Sequence, residues 1–217
     1  MENLNKYIDQ TLLSPSATKT DIMQFLRNAE KYEFYAAVVN PCWVSLARKV
    51  LSPHIKVCSV VGFPLGASST RTKVFATGDL IALGCDEIDM VLNIGQLISK
   101  NFKYVGEEIR AIADAAAGRI VKVIIETCLL SDELKKTAAR IIMDNGAHFV
   151  KISTGFSKEG ANLEDIYLLR QIVGPKFGIK ASGGIRDHIF ALKLIKAGTN
   201  RIGTSAGVQI LNNYRAV

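Results

Sequence analysis

The chain has no apolar run near the roughly 20 residues that a bilayer-spanning helix needs, so a membrane protein is not expected. Its opening residues, Met1-Glu-Asn-Leu-Asn-Lys6, lack the basic start and apolar stretch of a secretory leader, and a cytoplasmic location is the expectation. The 4 cysteines (Cys42, Cys58, Cys85, Cys128) are scattered, form no Cys-x-x-Cys and have no histidine at ligand spacing. That pattern argues against a disulfide framework or a metal site and for reduced structural thiols. Histidine is scarce too: His54, His148 and His188 fall at a turn, before a strand and at a helix start, where structural roles are expected. The charge is not one-sided in its distribution. Lysine and arginine exceed the acids by 27 to 20, yet they are dispersed and never interleave with aromatics. No nucleic-acid partner is expected; the +7 balance reads as a solvated basic surface, with steering of a small anionic substrate the next reading.

What is present is alternation. Short β-rich runs at 6–9, 36–40, 55–62, 87–93, 121–127, 149–154, 178–182 and 200–204 are separated by segments of helical period. The helical segments are 19–32, 41–50, 70–83, 102–117, 132–145, 163–173, 187–197 and a short one at 206–213. Ser131 and Ser69 or Thr70 stand as N-caps, and Gly84, Gly118, Gly146, Gly174 and Gly198 each follow a helix, where a left-handed cap residue belongs. Strand–helix alternation predicts an α/β fold with a parallel sheet, and eight units fit a closed (β/α)8 TIM barrel. An open doubly wound sheet is the alternative, but Gly-x-Gly-x-x-Gly does not follow the first strand. With no linker or composition shift, residues 1–217 read as one domain.

One pattern occurs twice inside these strands: Lys151-Ile-Ser-Thr-Gly155 and Lys180-Ala-Ser-Gly-Gly184. A buried strand lysine is rare because an unpaired ammonium is costly to desolvate. A single one more often snorkels or pairs with an acid. Two on neighbouring strands, about 5 Å apart, disfavour each other's charge and so favour a neutral, nucleophilic amine. Period-two alternation through Glu87-Ile-Asp-Met-Val-Leu-Asn93 places Glu87, Asp89, Val91 and Asn93 on one face, with Ile88, Met90 and Leu92 toward the helices. The plainer reading of the two acids, loop caps or partners of surface lysines, loses weight beside Lys151 and Lys180. A proton-exchanging aspartate, a cation and an amine are what imine chemistry requires. The glycine-rich turns Ser182-Gly-Gly-Ile-Arg-Asp187 and Gly203-Thr-Ser-Ala-Gly207 follow strands seven and eight, the frequent phosphate end of such barrels.

Together with Asn40-Pro41, Val60-Val-Gly-Phe-Pro-Leu-Gly66, Ile125-Glu-Thr127, Phe149-Val-Lys-Ile-Ser-Thr-Gly-Phe156, Ile179-Lys-Ala-Ser-Gly-Gly-Ile-Arg186 and Arg201-Ile-Gly-Thr-Ser205, these segments resemble the deoxyribose-phosphate aldolases over nearly the whole chain. The resemblance implies a cofactor-free and metal-free class I aldolase. It would split 2-deoxy-D-ribose 5-phosphate reversibly into acetaldehyde and D-glyceraldehyde 3-phosphate, within deoxyribose phosphate catabolism. It implies Lys151 as the Schiff-base lysine, Asp89 as the proton relay and Lys180 as the second lysine. Gly155, Gly183, Gly184, Gly203 and Ser205 would line the phosphate end, and a homodimer is implied. Gln10 stands where many relatives carry histidine, and Ala206 where some have a second serine. A different imine-forming sugar-phosphate aldolase or transaldolase, and a non-catalytic phosphate-ligand or nucleic-acid-binding protein, are the competing readings.

Overall fold

Parallel strands covered by helices on one side and by the barrel interior on the other are buried on both faces, and the strand sequences reflect it. The computed structural model describes residues 3–215; Met1 and Glu2 of the leader reading, and residues 216–217 at the end of the expected domain, lie outside them. Eight strands, β1 (Ile8–Leu12), β2 (Ala36–Val39), β3 (Lys56–Val61), β4 (Glu87–Val91), β5 (Ile120–Ile124), β6 (Phe149–Lys151), β7 (Gly178–Ser182) and β8 (Arg201–Thr204), close in sequence order into a parallel barrel. The helices are α1 (Lys19–Lys31), α2 (Val44–Val50), α3 (Thr70–Ala82), α4 (Ile94–Ile98), α5 (Phe102–Ala115), α6 (Asp132–Asp144), α7 (Leu163–Val173), α8 (His188–Lys196) and α9 (Gly207–Arg215). This is the expected (β/α)8 TIM barrel rather than the open sheet. Among the described residues no helix is long and apolar enough to cross a membrane.

Local chemistry sets the boundaries. Thr18 and Asp21 form a reciprocal capping box on α1, and Ser69, Asn93, Ser131, Asn162 and Asp187 each accept an N–H in the first turn of their helices. Each such cap contributes about 1 kcal/mol. The five glycines expected as left-handed caps all have positive φ, from 68° at Gly174 to 114° at Gly198. The first strand differs from its expected span, 6–9. Residues Leu4–Tyr7 wind into a 3-10 turn, and extended pairing with β2 and β8 begins only at Ile8. Asn93 also leaves the inward face assigned to it, because β4 ends at Val91 and the Asn93 side chain caps α4. That five-residue helix lies inside a loop with no helical period of its own.

Alternation divides the core in two. Ile88, Met90 and Leu92 of the β4 segment, with Val121, Val123, Val150, Ile179 and Ile202, pack against the helices in one large cluster. Inside the barrel a second, small cluster of Ala36, Val38, Cys58 and Val60 lies under Leu13 on the β2–β3 side. The remaining interior is charged. Outside the barrel, Lys73 of α3 and Glu108 of α5 form an ion pair at 2.9 Å with both side chains fully buried. Lys73 also donates to the Val91 carbonyl and Glu108 accepts from the Asn93 amide, so the pair pins the end of β4. Removing one member leaves an uncompensated buried charge: Lys73→Met is expected to lose about 3–5 kcal/mol in urea denaturation. The double variant Lys73→Met/Glu108→Gln should recover much of it, and an unchanged midpoint for Lys73→Met would refute the pinning role.

Candidate active site

The two lysines of the repeated pattern are direct register partners: Lys151, the last residue of β6, lies opposite Lys180 of β7. Both reach the same carboxylate oxygen. Asp89 Oδ2 accepts from Lys151 Nζ at 2.8 Å and from Lys180 Nζ at 2.7 Å. The other oxygen, Oδ1, accepts from Lys122 Nζ at 2.9 Å and from the Cys58 thiol at 3.3 Å. Strand parity thus brings together Lys151, Lys180 and Asp89, with Glu87 on the inward face expected for it. It also brings in three residues to which the sequence pattern assigns no role, Lys122, Asp9 and Arg201. Lys122 contacts Glu87 at 2.5 Å; Lys180 contacts Asp9 Oδ2 at 2.6 Å; Arg201 Nε donates to Asp9 Oδ1 at 2.7 Å and its Nη2 to Glu87 Oε2 at 2.9 Å. The Arg201 guanidinium lies 3.4 Å from the Tyr35 ring centroid, a cation–π contact that closes the network below.

Burial and pairing act in opposite directions on these groups, and position decides which prevails. Burial would raise Asp89, but Lys122, Lys151 and Lys180 outweigh it and hold the carboxyl well below the usual range. Asp9 behaves alike: burial opposes, Arg201, Lys180 and Lys122 prevail, and its pKa falls to about 2. Burial would lower Lys122 and Lys180, yet Asp89 raises both, aided by Glu87 at the first and by Asp9 at the second. At Lys151 burial wins: the amine falls below the ordinary lysine value, with Asp89 opposing and Lys180 adding to the drop. Desolvation, more than the neighbouring ammonium expected from the repeated pattern, therefore weakens its proton affinity. The Cys58 thiol is pushed well up by burial and by Asp89, so it stays protonated and serves as a donor. All four cysteines are free thiols.

Above this network a cavity of about 410 Å³ opens at the C-terminal ends of the strands. Lys151 lines it, together with all five glycine and serine positions read for the phosphate end: Gly155, Gly183, Gly184, Gly203 and Ser205. Asp89 and Lys180 lie beneath. Gly183 has φ 91°, and its chain runs against Gly160, whose added Cβ would overlap the Gly183 carbonyl; the β6 and β7 loops touch only because both residues lack side chains. The Gly155 amide is not free for a ligand, since it donates to Ser153 Oγ at 3.0 Å. Ser153 lies beyond β6, which stops at Lys151 rather than at the expected position 154. Two further residues, quoted above only as parts of motifs and given no role there, belong to the site. Arg186 places a guanidinium-bearing side chain among the lining residues. Glu126, buried and in the left-handed region at φ 52°, accepts from Thr154 N and Oγ1 and so holds the loop that follows Lys151.

A closed parallel barrel with a cavity at the C-terminal ends of its strands is the arrangement of the barrel enzymes. Residues 4–214 match the family model of the DeoC/LacD family aldolases. The chain is 50% identical over 214 residues to the deoxyribose-phosphate aldolase of Streptococcus sanguinis (strain SK36), covering 98% of this chain and 97% of that one. It is 51% identical over 213 residues to that of Bacillus cytotoxicus, covering 97% and 96%. Among solved structures it resembles an aldolase designated QR15, with TM-score 0.96, 38% identity and coverage of 100% and 97%. It also resembles the tetrameric deoxyribose phosphate aldolase of Aeropyrum pernix, with TM-score 0.90, 34% identity and coverage of 99% and 92%. The chain belongs to the DeoC/LacD aldolase family.

Asp9 offers a test of the network. Its folded pKa of about 2 lies below the unfolded value of about 3.9, so its stabilisation is complete above about pH 4 and is lost as pH falls toward 2. Asp9→Asn takes one of two carboxylate partners from both Arg201 and Lys180 and should cost several kcal/mol at pH 7, read by denaturant unfolding. The gap to wild type should narrow by about 1 kcal/mol at pH 3. A gap that is constant with pH contradicts the pairing.

Proposed function

We propose that the chain is a class I aldolase that reversibly cleaves 2-deoxy-D-ribose 5-phosphate to acetaldehyde and D-glyceraldehyde 3-phosphate, within deoxyribose phosphate catabolism. One observation carries this reading: of the lysines bound to Asp89, Lys151 alone lines the cavity, and it is the one whose proton burial weakens. The named relatives support the substrate.

In this reading the neutral Lys151 amine adds to the C1 aldehyde, and the carbinolamine loses water to give a cationic imine. The C2–C3 bond then breaks. Its electron pair moves into the C1–C2 enamine with the imine nitrogen as sink, the C3 hydroxyl gives up its proton, and C3 leaves as the aldehyde of glyceraldehyde 3-phosphate. Protonation of the enamine at C2 and hydrolysis release acetaldehyde and restore Lys151. Asp89 lies one hydrogen bond from the reacting nitrogen and from Lys180 Nζ, and the two serve as the proton relay. The glycine turns at Gly183, Gly184 and Gly203, with Ser205, receive the phosphate at the far end of the cavity, and Gly155 lines that end without offering its amide. The side chains that do this work are the chain's own, and the expected assembly is a homodimer.

Acetaldehyde followed by borohydride should attach a two-carbon label to Lys151, located by peptide mapping. Lys151→Ala should lower cleavage at least roughly a thousandfold. A label on another lysine, or cleavage surviving in Lys151→Ala, overturns the assignment.

A further inference from the structure

Gln10 stands one residue past Asp9 on β1, so its side chain leaves the barrel interior on the opposite face. It is 5% exposed, and both ends of its amide are engaged by the segment that follows β8. Nε2 donates to the Ser205 carbonyl at 3.1 Å, and Oε1 accepts from the Gly207 amide at 3.0 Å. In register Gln10 pairs with Thr204, the last residue of β8. Thr204 Oγ1 in turn donates to the Ile185 carbonyl of the β7 loop at 2.6 Å and accepts from the Ala206 amide at 2.9 Å. The segment 204–207 is therefore tied to β1 on one side and to the β7 loop on the other.

The tie from β1 replaces a local one. Ala206 opens α9, since its carbonyl accepts from Ile210 N at 2.9 Å, but it has no side-chain acceptor with which to cap the helix. The first orphan amide, at Gly207, is met by Gln10 from another strand. A side chain at Gly207 would overlap Gln10 Oε1 and press on Phe34 at 3.0 Å and Ile8 at 3.1 Å. The close approach is therefore built into both residues. Ser205, whose carbonyl Gln10 holds, lines the same cavity as Gly203 and Lys151.

We propose that Gln10 is a positioning residue for the phosphate end: by clamping Ser205–Gly207 from β1 it sets the preference for phosphorylated over unphosphorylated sugar. This rests on the aldolase reading above. Gln10 touches neither Lys151 nor Asp89 through any hydrogen bond, so the clamp and the imine centre are separable.

The test compares Gln10→Met, which removes both hydrogen bonds, and Gln10→Glu, which keeps an acceptor for Gly207 but sets a carboxylate against the Ser205 carbonyl. Each is assayed for kcat and KM with 2-deoxyribose 5-phosphate and with 2-deoxyribose, and for inhibition by inorganic phosphate. Borohydride trapping of acetaldehyde reports on the imine centre. Expected for both variants is a rise of about five- to tenfold in KM for the ester and in the phosphate inhibition constant. The value of kcat should stay within about twofold, with trapping and the activity on deoxyribose preserved. An unchanged ester KM and phosphate constant, or an equal loss on both sugars, overturns the proposal. If the wild type cleaves neither sugar, the aldolase reading falls by itself. Direct binding of inorganic phosphate to wild type and variants then decides the clamp, an unchanged affinity refuting it.

Discussion

Asp89 is the group on which the rest of the interior depends. Its two oxygens receive Lys151, Lys180, Lys122 and the Cys58 thiol, and no other carboxylate in the barrel touches the amine that lines the cavity. A low-dielectric interior tolerates ions only when they are paired, and the pairing here is close to complete. Asp9, Glu87 and Asp89 face Lys122, Lys180, Arg201 and Lys151. The carboxylates balance all of these bases but one. The odd base is Lys151, the amine that burial pulls down while Lys122 and Lys180 are pushed up. Electroneutrality and desolvation thus single out the same residue as the one that holds its proton least firmly.

The barrel supplies this selection through depth. Lys180 and Lys122 sit fully enclosed among carboxylates, whereas Lys151 ends its strand and borders the cavity. Lys151 and Lys180 share one register, and the difference is that β6 stops at Lys151 while β7 runs on to Ser182. The loops above line the cavity with backbone and small side chains, which in the proposed reading receive the substrate. Gly183 against Gly160, Glu126 under Thr154, and Gln10 beneath Ser205 all act in this way, each fixing a loop through backbone groups.

Much of this was legible in the sequence because strand parity is a strict rule. Lys151, Lys180 and Asp89 were placed together from alternation alone, and the barrel followed from strand–helix repetition with glycine stops. What escaped has physical reasons. Lys122 sits in Ile120-Val-Lys-Val-Ile124, the same signal as Lys151, but no distinctive turn follows it to draw notice. Asp9 escapes because the expected first strand, 6–9, ends on it and so reads it as a strand-end acid, whereas β1 runs on to Leu12, and Arg201 escapes because an arginine opening a strand reads as a surface charge. The role of Gln10 depends on a contact across almost the whole chain, which no local pattern encodes. The order of causes at Lys151 was likewise out of reach, since desolvation is a property of the folded interior.

The central claim, that Lys151 alone among the Asp89-bound lysines is poised to be neutral, is tested most directly by titrating the enzyme with ¹³C-labelled lysine side chains. Resonances are assigned through Lys151→Met, Lys180→Met and Lys122→Met. The account predicts that the Lys151 signal titrates below the ordinary lysine value of about 10.4, while Lys180 and Lys122 keep their protons beyond it. A Lys151 that titrates at or above that value, or a Lys180 that loses its proton first, would contradict it.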